Sequence, residues 1–180
     1  ANETELWTRW LAPEFPKDRI APLGVELTYQ YRQSMGLRVV VEHGKEVVQT
    51  LFDRGYTLGI ISNVITSREI PEWMDADGFT PYFKSVVLSS VLGIRKPDPE
   101  IYLEAARRAQ VPPEKCVYIG DNLKRDVTGT RAAGSPSMRC PARCWRASTS
   151  ASTSGCRPSP WPTALRLRTT KLFWFKRLTS

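Results

Sequence analysis

Apolar residues recur at helical spacing through the first third of the chain and then at strand spacing. Trp7, Trp10 and Leu11 share one face of residues 5–11, and Leu27, Tyr31 and Met35 share one face of residues 23–35. Pro13, Pro16 and Pro22 place a loop between these two helices. Residues 43–54 form a better helical pattern. Val47, Val48, Leu51 and Phe52 are its stripe, and Gly55 stands where a left-handed C-terminal residue is wanted. Residues 56–63, 82–89 and 116–120 are short apolar runs, β-branched and aromatic, and read as buried strands. Residues 67–74 read as a short helix broken early by Pro71. Asp98 as N-cap with Pro99 after it starts a strong helix carrying Ile101, Tyr102, Ala105, Ala106 and Ala109, which Pro112-Pro113 ends. Residues 124–133 give one more helix.

Strands that alternate with helices argue for an α/β fold with a Rossmann-like, doubly wound parallel sheet. In such sheets ligands bind at the carboxyl ends of the strands. Residues 41–134 form this core. Residues 1–40 carry no strand signal and read either as simple helix packing or as a partial helical cap over a site. After Gly134 the periodicity stops. A strand and a helix are needed there to finish the sheet, and neither is written in residues 135–180, so the sheet is expected to be incomplete.

Charge sharpens that boundary. The formal net charge is +8, but residues 1–134 hold 17 Lys and Arg against 18 Asp and Glu, whereas residues 135–180 hold nine basic residues and no acid. The basicity therefore describes the tail and not the folded part. With Trp145, Trp161, Phe173, Trp174 and Phe175, the tail reads as a disordered arm able to bind polyanions weakly and non-specifically. Its lack of acids and periodicity also fits translation in a shifted reading frame. Cys140 and Cys144 have no second pair and no nearby histidine, a weak basis for zinc. The N-terminus is acidic and polar, and no apolar run approaches the ~20 residues of a membrane span. A cytoplasmic protein without a membrane span is expected; the oligomeric state is not readable.

Candidate chemistry gathers at predicted strand ends. Ser62 and Asn63 close the first strand, Lys96 lies in the loop 93–99, and Asp121 and Asp126 follow the third. A hydroxyl and backbone N–H groups can hold phosphoryl oxygens, a lysine can neutralise them, and two carboxylates suit Mg²⁺. His43, the single histidine, reads as a polar residue at a helix start.

In this order the groups resemble the haloacid dehalogenase (HAD) superfamily of hydrolases. Ile60-Ile61-Ser62-Asn63 looks like its second motif, Gly93-Ile94-Arg95-Lys96-Pro97-Asp98-Pro99 like its third, and Gly120-Asp121-Asn122-Leu123-Lys124-Arg125-Asp126 like its acidic fourth. The resemblance covers about residues 1–134. It implies Mg²⁺-dependent hydrolysis of a small phosphorylated substrate through an aspartyl-phosphate, with Ser62, Asn63 and Lys96 on the phosphate and Asp121 and Asp126 on the metal. Metal-independent dehalogenation is the lesser alternative. The family's first motif, an apolar strand ending in Asp-x-Asp that supplies the nucleophile, has no match in these 180 residues. Asp75-Ala76-Asp77-Gly78 has the spacing, but no strand precedes it, and it reads as a surface turn. The expectation is a sheet without its central strand and a chain inactive alone, or a non-catalytic relative that binds phosphate, Mg²⁺ or polyanions.

Overall fold

The computed structural model describes residues 2–35, 40, 43–120, 122–139 and 172–175, with 123, 138–139 and 172–175 described by their backbone. The rest of the tail, and with it most of the polyanion-binding and shifted-frame readings, lies outside the described residues, as does Asp121.

Three strands form where the apolar runs predict them: β1 (Thr57–Ser62), β2 (Phe83–Leu88) and β3 (Cys116–Gly120). β1 and β2 pair in parallel, with Ile60 opposite Val86 and Ser62 opposite Leu88. Side chains alternate across a strand, so β1 feeds two cores. Ile61 enters one with Val87, Tyr118 and the helix face Ile101, Tyr102, Ala105 and Ala109. Leu58 and Ile60 enter the other with Val48, Ile70, Met74 and Phe79. Helices therefore cover both faces, as a doubly wound sheet requires. The longer ones are α1 (Gly24–Ser34), α2 (Gly44–Asp53), α3 (Glu69–Ala76) and α4 (Pro99–Ala109). Asp98 caps α4 by accepting from the Glu100 N–H at 2.9 Å, a cap worth about 1 kcal/mol.

Two expectations need correcting. Pro71 does not break its helix: it stands in the first turn of α3, where the missing N–H has no intrahelical acceptor to lose. The tail, read as carrying no strand, contributes two. β4 (Ser137–Arg139) pairs in parallel with β3, and β5 (Leu172–Phe175) lies between β1 and β3, parallel to both. The sheet order is β2-β1-β5-β3-β4, so the central position expected to be empty is filled. Backbone pairing needs only an extended segment, and Leu172-Phe173-Trp174-Phe175 is a short run of strand-favouring aromatics that no local periodicity joins to the core.

The N-terminal helices dock beside α3. The Arg68 guanidinium stacks on the Tyr29 ring at 4.0 Å and bonds Glu26 at 2.8 Å and Glu72 at 2.9 Å. Arg32 faces Glu69 at 3.4 Å. These contacts hold α1 of the N-terminal segment next to the loop that leaves β1. No helix among the described residues is long and apolar enough to cross a membrane.

Candidate phosphoryl-binding site

The carboxyl ends of β1 and β3 gather four of the predicted residues, Ser62, Asn63, Lys96 and Asp126. Ser62 is the last residue of β1 and is 8% exposed. Among the described residues its hydroxyl has no hydrogen-bond partner. Asn63 follows and ties β1 to the loop carrying Lys96: its Nδ2 donates to the Lys96 carbonyl at 3.0 Å, and its Oδ1 accepts from the Lys96 N–H at 2.9 Å. The Asn63 side chain is thus a brace, and its backbone is what remains for a ligand.

Lys96 turns inward, 3% exposed. Its ammonium donates to the Tyr118 hydroxyl at 2.6 Å and to the Ile61 carbonyl at 3.3 Å, and lies 3.0 Å from Asp126 Oδ1. An ammonium has three donors, and among the described residues these groups accept from it or face it. The pair is buried, where an unpaired charge costs several kcal/mol, so each group needs the other.

Asp126 is held from every side. Its Oδ1 also accepts from the Tyr118 hydroxyl at 3.1 Å, and its Oδ2 accepts from the Asn122 N–H at 2.9 Å. The backbone brings it there through a π-helical turn (Leu123–Thr128) that Asn122 caps by accepting from the Arg125 N–H. Gly120 makes the approach possible: a Cβ at that position would lie 2.4 Å from Asp126 Cβ. Gly129, the next such contact, would press a Cβ to 2.3 Å from the Pro97 carbonyl, so its bareness lets this segment close on the Lys96 loop.

Asp121, the other expected Mg²⁺ ligand, lies outside the described residues. No three His, Cys, Asp or Glu side chains gather among them. Mg²⁺ wants oxygens in octahedral array, and among the described residues both oxygens of Asp126 accept hydrogen bonds. Asp126, expected beside Asp121 as a metal ligand, also lies against the Lys96 ammonium as its counter-ion.

His43 stays outside the site. It precedes α2 with a left-handed backbone and its Nδ1 lies 2.9 Å from Glu46 on the surface. In the Asp-x-Asp segment, Asp75 and Ala76 finish α3 and Asp77-Gly78 turn out of it. Tyr118 and Gly129 were missed. Tyr118 reads as plain strand core by periodicity; the available signal was that a buried hydroxyl needs a partner.

A family model described as haloacid dehalogenase-like hydrolase matches residues 5–134. A glyceraldehyde 3-phosphate phosphatase of Methanopyrus kandleri is 35% identical over 97 residues, covering 52% of this chain and 41% of that protein. The haloacid dehalogenase-like hydrolase domain-containing protein 3 of Bos taurus is 33% identical over 115 residues, covering 64% of this chain and 45% of that protein. The chain spans less than half the length of these curated relatives. The structure is also similar to that of a 2-haloacid dehalogenase from Pseudomonas syringae, with a TM-score of 0.57 and 26% identity over 69% of this chain and 51% of that one.

Proposed function

Because the chain belongs to the haloacid dehalogenase-like hydrolases, we propose that the sheet edge at Ser62, Asn63 and Lys96 binds the phosphoryl group of a small phosphate monoester. The 180-residue chain holds that group without cleaving it. The observation that carries this reading is Ser62 at the end of β1, a residue 8% exposed whose hydroxyl has no hydrogen-bond partner among the described residues. A phosphoryl oxygen is the acceptor such a donor wants, and the Lys96 charge lies one residue away, on the Ile61 carbonyl. The phosphatase named among the relatives supports the substrate class.

Each residue has a distinct part. Ser62 donates to one oxygen. Asn63 offers its backbone and fixes the Lys96 loop. Lys96 neutralises charge by exchanging its longest contact, to Ile61, for the ligand. Asp121 and Asp126 are the acidic pair that would hold Mg²⁺, and a bound ion would offset phosphoryl charge. Hydrolysis through an aspartyl-phosphate needs a carboxylate nucleophile. The strand β5 carries none in Leu172-Phe173-Trp174-Phe175, and no apolar strand of the sequence ends in Asp-x-Asp.

Calorimetric titration of the chain with inorganic phosphate tests the reading. Ser62→Ala is expected to weaken binding roughly 10- to 100-fold, the loss of one hydrogen bond to a charged group. Equal affinity in the two proteins defeats it. The likeness to the Pseudomonas syringae dehalogenase favours a second reading, halide removal from a 2-haloacid; it meets the same lack of a nucleophile, and halide release from 2-chloropropionate checks it.

A further inference from the structure

The parallel ladder between β1 and β2 ends where Ser62 lies opposite Leu88. β2 cannot carry it further, because the backbone turns at Ser89 into a short helical segment (Ser89–Leu92). The Ser89 side chain takes over. Its hydroxyl accepts from the Val64 N–H at 3.0 Å and donates to the Val64 carbonyl at 3.0 Å. A hydroxyl has one donor and two acceptor lone pairs, so one oxygen can make both bonds. In a parallel ladder a residue likewise donates and accepts toward the same neighbouring strand. Val64 is therefore held as a strand residue is, by a side chain in place of a backbone. Ser90 adds a bond two residues further on, donating its hydroxyl to the Thr66 carbonyl at 3.0 Å.

We propose that Ser89 is a positioning residue for phosphoryl binding, one that fixes the path of the chain immediately after Ser62 and Asn63. The proposal rests on the reading of that edge as the phosphoryl site. Ser62 is fixed from one side by the ladder, and Val64 is anchored two residues later by Ser89. Asn63 stands between these two anchors, with its side chain tied to the Lys96 backbone. The bridge is sealed from water, with Ser89 6% and Val64 9% exposed. Among the described residues the Val64 N–H and carbonyl have no other hydrogen-bond partner. Removal of the Ser89 oxygen leaves both groups unpaired at once, a cost that the segment relieves by swinging toward water. That movement carries Asn63 with it and loosens the end of β1, so the donors at Ser62 and Asn63 are no longer set in advance for a ligand. Ser85 supplies the contrast. It lies on β2 and is 2% exposed, but its hydroxyl donates to the Ala105 carbonyl at 3.3 Å, on α4 and away from this segment.

The test compares Ser89→Ala with Ser85→Ala in the full chain. Inorganic phosphate is titrated by calorimetry. The amide-to-Hα coupling constants of Asn63 and Val64, which report their backbone φ, are measured by NMR. Ser89→Ala is expected to bind phosphate roughly 3- to 10-fold more weakly, the scale of one neutral hydrogen bond, with both couplings changed. Ser85→Ala is expected to lose stability and keep the affinity and the couplings. Ser89→Thr, which retains the hydroxyl, should restore binding. Unchanged affinity in Ser89→Ala overturns the proposal, since the serine is then structural only. An equal loss in Ser85→Ala overturns it too, since the effect is then one of general stability. Failure of the unsubstituted chain to bind phosphate defeats the underlying reading instead, and the couplings still decide whether Ser89 sets the path after Ser62; unmoved couplings count against it. If Ser89→Ala lowers the folded fraction, Ser89→Cys, which keeps a similar shape and weakens both bonds, must show the same weaker binding, and undiminished affinity there is equally decisive.

Discussion

The ammonium of Lys96 lies 3.0 Å from Oδ1 of Asp126, with both side chains sealed from water. This pair joins the loop after β2 to the turn after β3 at the edge where β1 ends. A buried pair contributes little net stability against an apolar replacement, but removal of one partner strands the other. Lys96→Met and Asp126→Asn are each expected to lower the unfolding free energy by about 3–5 kcal/mol. The double change Lys96→Met with Asp126→Leu should recover much of that loss. Urea unfolding of the three proteins checks it, and additive losses would show that the two residues act separately.

The Gly120 position sets how near Asp126 can come. Gly120→Ala would place its Cβ 2.4 Å from Asp126 Cβ and 2.6 Å from Cγ. Overpacking of this kind costs about 1–3 kcal/mol, and here it also pushes the carboxylate away from Lys96. The expected outcome is a less stable chain with weaker phosphate binding, read by denaturation and calorimetry on the same sample.

Alkali should weaken the fold through two buried acids. Burial, and next the charge of Glu114, push the Cys116 thiol up to about 12. Burial, and next the charge of Asp126, push the Tyr102 phenol well above its usual range. Each is raised on folding, so its contribution is whole below its unfolded value, about 8.5 for Cys and about 10 for Tyr, and is lost as pH rises toward the folded one. Stability should therefore fall from about pH 8.5 upward. Iodoacetamide at about pH 8 should spare Cys116 in the native chain and modify it in urea. Native alkylation of Cys116 would contradict its burial.

Arg68 offers the contrast of an exposed network. Both of its carboxylate partners lie below their usual range, Glu26 chiefly through a hydrogen bond from Gln30 and Glu72 chiefly through one from Tyr29, with the bond from Arg68 adding to each. Exposed pairs are screened and weak. Arg68→Ala is expected to lower the melting temperature slightly, and the difference should shrink as salt is added. A large, salt-insensitive loss would mean that α1 depends on Arg68 far more than surface pairing allows.

The site was readable in sequence to the extent that its parts are local. Ser62 was visible because a small polar residue ends an apolar run, and Lys96 because it precedes a helix start that caps itself. Asp126 was visible as an acid early in a helical segment, but its partner was not. The sequence pattern pairs it with Asp121, which lies outside the described residues, and gives no sign that the fold also turns it inward onto a lysine 30 positions earlier. Tyr118 was hidden for the same reason, since strand period reports which side chains are buried and not what their hydroxyls meet. The central strand was the least readable element. β5 joins β1 and β3 across more than 50 residues of sequence, a pairing that no local pattern encodes.

The central claim is that the chain binds a phosphoryl group at the β1 edge and leaves it intact. Phosphorus-31 spectra of p-nitrophenyl phosphate, recorded with a stoichiometric amount of the chain and Mg²⁺, test both halves at once. The expected result is a shifted or broadened monoester resonance, abolished by Ser62→Ala, with no inorganic phosphate peak growing over time. A growing phosphate peak that Ser62→Ala suppresses would contradict the claim of binding without cleavage, and an unperturbed monoester resonance would contradict the binding itself.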